Sequence, residues 1–219
     1  MKTKSQNQKN RAFTLVELIV VCAVLGMVAL VILPALAQDE QSAARAKRIN
    51  CSNNLRQVSL AYKVWAVDNN DRLPMTVPVQ EGGTKEFAAG GNAFRHFQVM
   101  SNEINAPKIL ICPADSRKAA TSFGDLQNKN TSYFVGLDAT DLRPKSLLSG
   151  DRNLDNGVAP VRTVLELRSD KTTHWTDSIH VNEGNIGLSD GSVILADNAK
   201  LQELLQKTGD ATNRIALPE

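Results

Sequence analysis

The sequence predicts an α+β chain in which a long N-terminal helix packs on a small antiparallel sheet, with a short C-terminal helix. Three observations carry this. Residues 13–37 are apolar apart from Thr14 and Glu17, residues 38–66 hold a helical stripe with no Gly or Pro, and Asp190-Gly191 sits between two short apolar runs. With 219 residues there is room for one membrane segment and one globular domain with a modest core.

The formal charge of +2 is unevenly spread. Lys2, Lys4, Lys9 and Arg11 give residues 1–12 a charge of +4 with no acid. Without them the chain has 21 basic against 23 acidic residues, a net of −2. The basic excess is therefore a topology signal that keeps the N-terminus in the cytoplasm and sends the remainder outward. No nucleic-acid-binding surface is expected.

Residues 18–36 form nineteen consecutive uncharged positions. At 1.5 Å rise they span about 28 Å, close to the ~30 Å hydrocarbon core of a bilayer. A secretory signal peptide is one reading, because Ala35-Leu36-Ala37 resembles a small-x-small cleavage site. A plain membrane anchor is another. Neither accounts for Glu17, since a carboxylate in a membrane helix costs roughly 2.5–3.5 kcal/mol and marks a partner or a function.

Beyond Pro34 the helical pattern resumes. Cys51, Leu55, Val58, Tyr62 and Trp65 recur at alternating spacings of four and three, which puts them on one face. Arg45, Lys47, Arg48, Arg56 and Lys63 lie largely off it. The stripe is expected to pack on the globular domain, with Tyr62 and Trp65 as core residues. Asp68-Asn69-Asn70-Asp71 ends the helix.

Residues 72–110 are less regular, punctuated by Gly82-Gly83 and Gly90-Gly91 without a phosphate-binding pattern. A short helix is expected at 94–100, and an extended stretch at 108–111 that runs into Cys112-Pro113. Residues 114–131 read as a polar loop and 132–137 as a strand. Further strands are expected at 163–168 and 174–179. Residues 185–188 and 192–195 flank Asp190-Gly191 as a hairpin, whose turn favours positive φ. A last amphipathic helix should begin at Asp197 or Asn198, end near Lys207, bury Leu201, Leu204 and Leu205, and stop before Gly209.

Ala12-Phe13-Thr14-Leu15-Val16-Glu17 resembles the prepilin processing signal, in which a small residue precedes Phe-Thr-Leu-x-Glu and an apolar helix. The residue before the cut is Ala12, where the family usually has Gly. The resemblance implies a leader at 1–12, a transmembrane and assembly helix at 13–37, a helical spine at 38–66 and a pilin-like globular domain at 67–219. Prepilin peptidase would cut between Ala12 and Phe13 and methylate the Phe13 amine. Glu17 then becomes the fifth mature residue, which in this family meets the N-terminal amine of a neighbouring subunit. Pro34 falls where the family often has a helix-kinking proline.

A second resemblance lies downstream. His180, nine intervening residues and Asp190-Gly191 resemble the His-x9-Asp-Gly signature of pseudopilin-like proteins abundant in planctomycete and verrucomicrobial bacteria. The segment Cys51-Ser52-Asn53-Asn54-Leu55-Arg56-Gln57 and the pair Cys112-Pro113 are similar to two other elements of that set. The implied function is a structural pseudopilin of a type II secretion or type IV pilus-like filament, held in the inner membrane with its globular domain periplasmic. Its implied partners are prepilin peptidase, other subunits and the inner-membrane assembly machinery. A membrane-anchored ligand-binding module using loops at 72–130 is the alternative.

The candidate chemistry is sparse. Cys51 and Cys112 lie on the oxidising side of the membrane and could form a disulfide, with two separate buried thiols as the alternative. His180 is expected to bond backbone or Asp190 across the hairpin and hold its register. No Gly-x-Ser-x-Gly or His-Glu-x-x-His motif is present, so no enzyme is expected. Asp170, Asp177, Asp190 and Asp197 offer oxygen donors for calcium, but no EF-hand spacing links them. No cofactor and no metal ligand is assigned from the sequence.

Overall fold

The computed structural model describes residues 15–160, 163–170 and 172–218, and only the backbone at 31–41. Ala12 and Phe13, the cleavage and methylation positions, lie outside the described residues. The chain forms two compact units, Met1–Ala44 and Arg45–Glu219.

The first helix, α1 (Leu15–Asp68), begins in the first unit and ends in the second. Its backbone is assigned as helix through position 34. In the first unit its apolar side chains are uncovered, from Leu15 at 74 % exposure to Leu30 at 76 %. The described side chains from Leu15 to Leu30 occupy about 24 Å of helix, short of a ~30 Å hydrocarbon core. Among the described residues, no helix is long and apolar enough to cross a membrane.

In the second unit the predicted stripe is the spine of the core. Cys51, Leu55, Val58, Tyr62 and Trp65 are all buried, while Arg45, Lys47 and Arg56 are exposed. The helix stops where the sequence indicated. Asn70 and Asp71 adopt φ values of 58° and 56°, and the Asp71 amide donates back to the Ala66 carbonyl.

The irregular segment that follows is folded onto the spine. It holds two short helices, α2 (Ala93–Gln98) and α3 (Ser101–Ile104). Leu73, Met75, Val77, Phe97, Met100 and Ile104 enter the same core. The extended stretch expected at 108–111 is instead a 3-10 turn over Pro107–Leu110. Proline at its first position supplies a preset φ and needs no amide partner, which favours a helical start over a strand.

Among the described residues eight strands follow: β1 (Tyr133–Gly136), β2 (Leu147–Asp151), β3 (Leu154–Asp155), β4 (Val164–Leu167), β5 (His174–Trp175), β6 (Glu183–Leu188), β7 (Val193–Asp197) and β8 (Asn213–Ala216). Six form one sheet in the order β4-β8-β1-β2-β6-β7, antiparallel throughout, and β3 pairs with β5 separately. The strand expected at 174–179 is shorter, ending at Trp175.

Side-chain alternation splits the sheet between two cores. Tyr133, Val135 and Ala216 face the spine, while Phe134 and Ile215 join Leu201, Leu204 and Leu205 on the other side. Those leucines belong to α4 (Asn198–Lys207), capped by the Asp197 carboxylate accepting from the Lys200 amide at 2.7 Å. The architecture is the expected α+β arrangement, with the sheet between the N-terminal helix and the short C-terminal one.

The spine comes close to the sheet at β6. A Cβ at Gly187 would lie 2.6 Å from Ser59 Oγ and 3.6 Å from Leu55 Cγ. Gly187→Val should therefore force α1 away from the sheet and cost about 1–3 kcal/mol. Denaturant unfolding of the detergent-solubilised chain, followed by tryptophan fluorescence, measures this.

Candidate functional site

Four polar side chains from four distant segments meet beneath the spine. Cys51 opens the buried stripe of α1. Cys112 follows the 3-10 turn and is steadied on both sides: Asn54 Nδ2 donates to the Ile111 carbonyl at 3.0 Å, and the Asp115 amide donates to the Cys112 carbonyl at 2.9 Å. Asp151 ends β2, in register with Tyr133 of β1. His180 lies in the loop before β6, where Asn153 Nδ2 gathers the carbonyls of Thr176, His180 and Glu183 at 2.9, 3.4 and 3.0 Å.

The donor atoms of Cys51, Cys112, Asp151 and His180 all lie within 4.8 Å of one another, and all four residues are buried. Cys51 Sγ is 3.1 Å from Asp151 Oδ1, Cys112 Sγ is 3.5 Å from His180 Nε2, and His180 Nε2 is 3.5 Å from Asp151 Oδ2. Asp151 Oδ2 also accepts from the Asn185 amide at 2.6 Å and from Asn185 Nδ2 at 2.9 Å. The Tyr133 hydroxyl lies 3.6 Å from Cys51 Sγ. Cys51 and Cys112 are free thiols here, as is the exposed Cys22.

The environment divides the protons unequally. The hydrogen bond between the sulfurs, then burial and the Asp151 charge, push the Cys51 thiol up. The same hydrogen bond, helped by His180, holds Cys112 down against burial. One sulfur thus keeps a proton while the other tends to thiolate. Burial raises Asp151, although His180 and Asn185 oppose it. Burial pulls the His180 imidazole down, but Cys112 and Asp151 outweigh it and hold the ring above its ordinary value.

A thiolate beside an imidazole is a nucleophile-base pair in chemistry, and here both groups lie inside the core. Cys112 is fully buried and His180 is 3 % exposed. A surface cleft of about 380 Å³ is lined by Asn54, Ile111 and Pro113 and includes none of the four residues. The two larger clefts, near 152–178 and 156–172, do not reach them either. The donor set is instead suited to holding a cation.

His180 does not meet Asp190, contrary to the expectation from the hairpin. Asp190 accepts from Lys145 Nζ at 2.9 Å and from the Ser192 amide at 2.9 Å, closing its own turn with Gly191 at φ 84°. The physical reason is strand length. All of β6 separates the two residues, roughly 20 Å of extended chain, so His180 and Asp190 mark its opposite ends. Asp170 and Asp197 likewise serve Thr172 and the Lys200 amide locally. Neither they nor Asp177 joins the group that could hold a metal among the described residues.

Asp151 is the member that sequence reasoning missed, because β2 has no alternating β-branched pattern to announce it. The other three had a signal. Cys51, Cys112 and His180 each lie in one of the three segments singled out in the sequence.

Residues 7–33 match the family model described as the prokaryotic N-terminal methylation motif. The match covers Ala12, Phe13 and Glu17 and supports a prepilin-like, type IV pilin or pseudopilin-like protein, because the motif is one that prepilin peptidase processes. No curated protein and no solved structure matches the chain.

An ion pair beside the cluster gives a direct test of how the site is held. Arg152, next to Asp151, donates to both Asp115 oxygens at 2.8 and 2.9 Å, bracing the Cys112 loop against β2. Burial pushes the Asp115 carboxyl up, but Arg152 and Ser132 outweigh it and hold it below the ordinary range. That stabilisation is full above the ordinary carboxylate pKa near 4 and is lost as pH falls through the lowered value. Arg152→Ala should cost about 3 kcal/mol at neutral pH. Unfolding curves at stepped pH should show the gap to wild type narrowing in acid.

Proposed function

We propose that this chain is a pseudopilin-type structural subunit of a type II secretion or type IV pilus-like envelope filament. The supporting observation is the methylation-motif match at residues 7–33, together with a helix whose described apolar side chains from Leu15 to Leu30 are exposed. Leu15, Val16, Leu18, Ile19 and Leu25 are each more than half exposed, which is unfavourable in water and calls for lipid or neighbouring helices. The prepilin waits in the inner membrane with the globular unit outside, loses residues 1–12, and carries an N-methyl group on Phe13. It then leaves the bilayer laterally as its helix enters the filament core.

Glu17 gives this process its register. In the membrane and in the filament core a carboxylate needs a countercharge, and the N-terminal amine of the adjacent subunit supplies one. The ligand-binding alternative has less support. Much of the segment at 72–130 spends its apolar side chains on the spine instead of forming a recognition surface.

Two measurements test the proposal. Mass spectrometry of the mature chain should find N-methylated Phe13 as the first residue; a start after Ala37 would identify an ordinary signal peptide and remove the filament. Glu17→Ala should still insert in the membrane but fail to enter filaments, read by membrane fractionation and by shearing of surface fibres. Undiminished incorporation would refute the assembly role.

A further inference from the structure

We propose that Cys51, Cys112, Asp151 and His180 are the four ligands of a structural Zn²⁺ ion that staples the spine helix to the sheet. This inference is independent of the filament role and concerns the globular unit alone.

The spacing of the donors supports it first. With Zn–S near 2.3 Å and Zn–N or Zn–O near 2.0–2.1 Å, the edges of a tetrahedral site measure about 3.3–3.8 Å. Cys51 Sγ to Asp151 Oδ1 and Cys112 Sγ to His180 Nε2 are 3.1 and 3.5 Å, and the four donors all lie within 4.8 Å of one another, so modest side-chain adjustments admit an ion at their centre.

The donors are also oriented. Both Asn185 N–H groups hold Asp151 Oδ2, which leaves Oδ1 facing the Cys51 sulfur. The Tyr133 hydroxyl reaches toward Cys51 Sγ and Asn153 holds the His180 backbone. Such outer contacts fix a ligand's direction before the ion arrives.

The chemistry selects the metal and its role. Two sulfurs with an imidazole favour zinc over calcium or magnesium, which prefer all-oxygen shells. Four protein ligands with no exposed edge make a closed site, which is structural and not catalytic. Binding leaves both sulfurs as thiolates, their protons going to solvent, and the ion balances two of the three negative charges carried by the thiolates and the Asp151 carboxylate. The four residues come from α1, the loop after Pro107–Leu110, the end of β2 and the loop before β6, so one ion ties together every layer on that side of the sheet.

The test uses the full chain, purified in detergent without chelator. Elemental analysis should find about one zinc per chain. Apo protein, prepared with chelator and reductant, should bind Co²⁺ with the visible bands of tetrahedral geometry and the near-ultraviolet charge transfer of thiolate ligation. Zn²⁺ should displace it. Asp151→Asn and His180→Gln should reduce zinc content to background, Asn185→Ala should weaken Co²⁺ binding about 10–100-fold, and Cys22→Ser should change neither. Chelation of the wild type should lower its melting midpoint, with recovery on adding zinc.

Wild-type data decide the matter even if a variant fails to fold. Absence of thiolate-to-Co²⁺ charge transfer in folded, reduced apo protein would overturn the site. So would a metal-free chain whose unreduced mass and peptide map show a Cys51–Cys112 disulfide. Zinc content unchanged in Asp151→Asn and His180→Gln would place the ion elsewhere and equally refute the assignment.

Discussion

A helix can lie against a strand at the distance seen between Ser59 and Gly187 only where the strand carries no side chain on that face. That close approach decides much of the second unit. It lets Leu55 and Val58 reach the sheet directly, and it brings Cys51, two turns earlier on α1, within 3.1 Å of a carboxylate at the end of β2. The segment at 72–132 packs into the same core as the buried stripe, with α2 placing Phe97 edge-on to Tyr62 at 6.3 Å between ring centres. Without the glycine the spine would sit farther out, and both the core and the polar cluster beneath it would lose their geometry.

The cluster is an unusual use of a core. Asp151 is wholly buried, and a buried carboxylate costs several kcal/mol unless charge and hydrogen bonds compensate. Asn185 supplies two of those bonds, and the imidazole of His180 lies 3.5 Å away. The supporting residues are structured in their own right. Arg152 spans the junction of β2 with the Cys112 loop, and Asn153 collects three carbonyls of the His180 loop. Four chain segments with little regular structure between them are thereby held where a strand or helix alone would not place them. The resulting group lies against the helix that continues into the first unit.

The two units bury their apolar residues by different means. The second unit folds its own leucines and aromatics inward, on both faces of a six-stranded sheet. In the first, the described valines, leucines and isoleucines from Leu15 to Leu30 are exposed along a helix. Such a surface is completed by its surroundings, and in the filament reading these are first lipid and then the helices of other subunits.

Periodicity alone determined the stripe from Cys51 to Trp65, the hairpin at Asp190-Gly191 and the leucine face of α4, because each is set by neighbours a few residues apart. The N-terminal motif was equally legible, since Phe13-Thr14-Leu15-Val16-Glu17 is read by enzymes as linear sequence. Other features depended on contacts that no local pattern encodes. The strand β2 has Ser149-Gly150-Asp151 in place of alternating apolar residues, and its identity comes from lying between β1 and β6. The nine residues between His180 and Asp190 suggested a pair, yet the strand joining them holds them apart. Only tertiary structure could exchange that pairing for one among Cys51, Cys112, Asp151 and His180. Their meeting is decided by how helix, loop and sheet stack, and sequence spacing carries no measure of that.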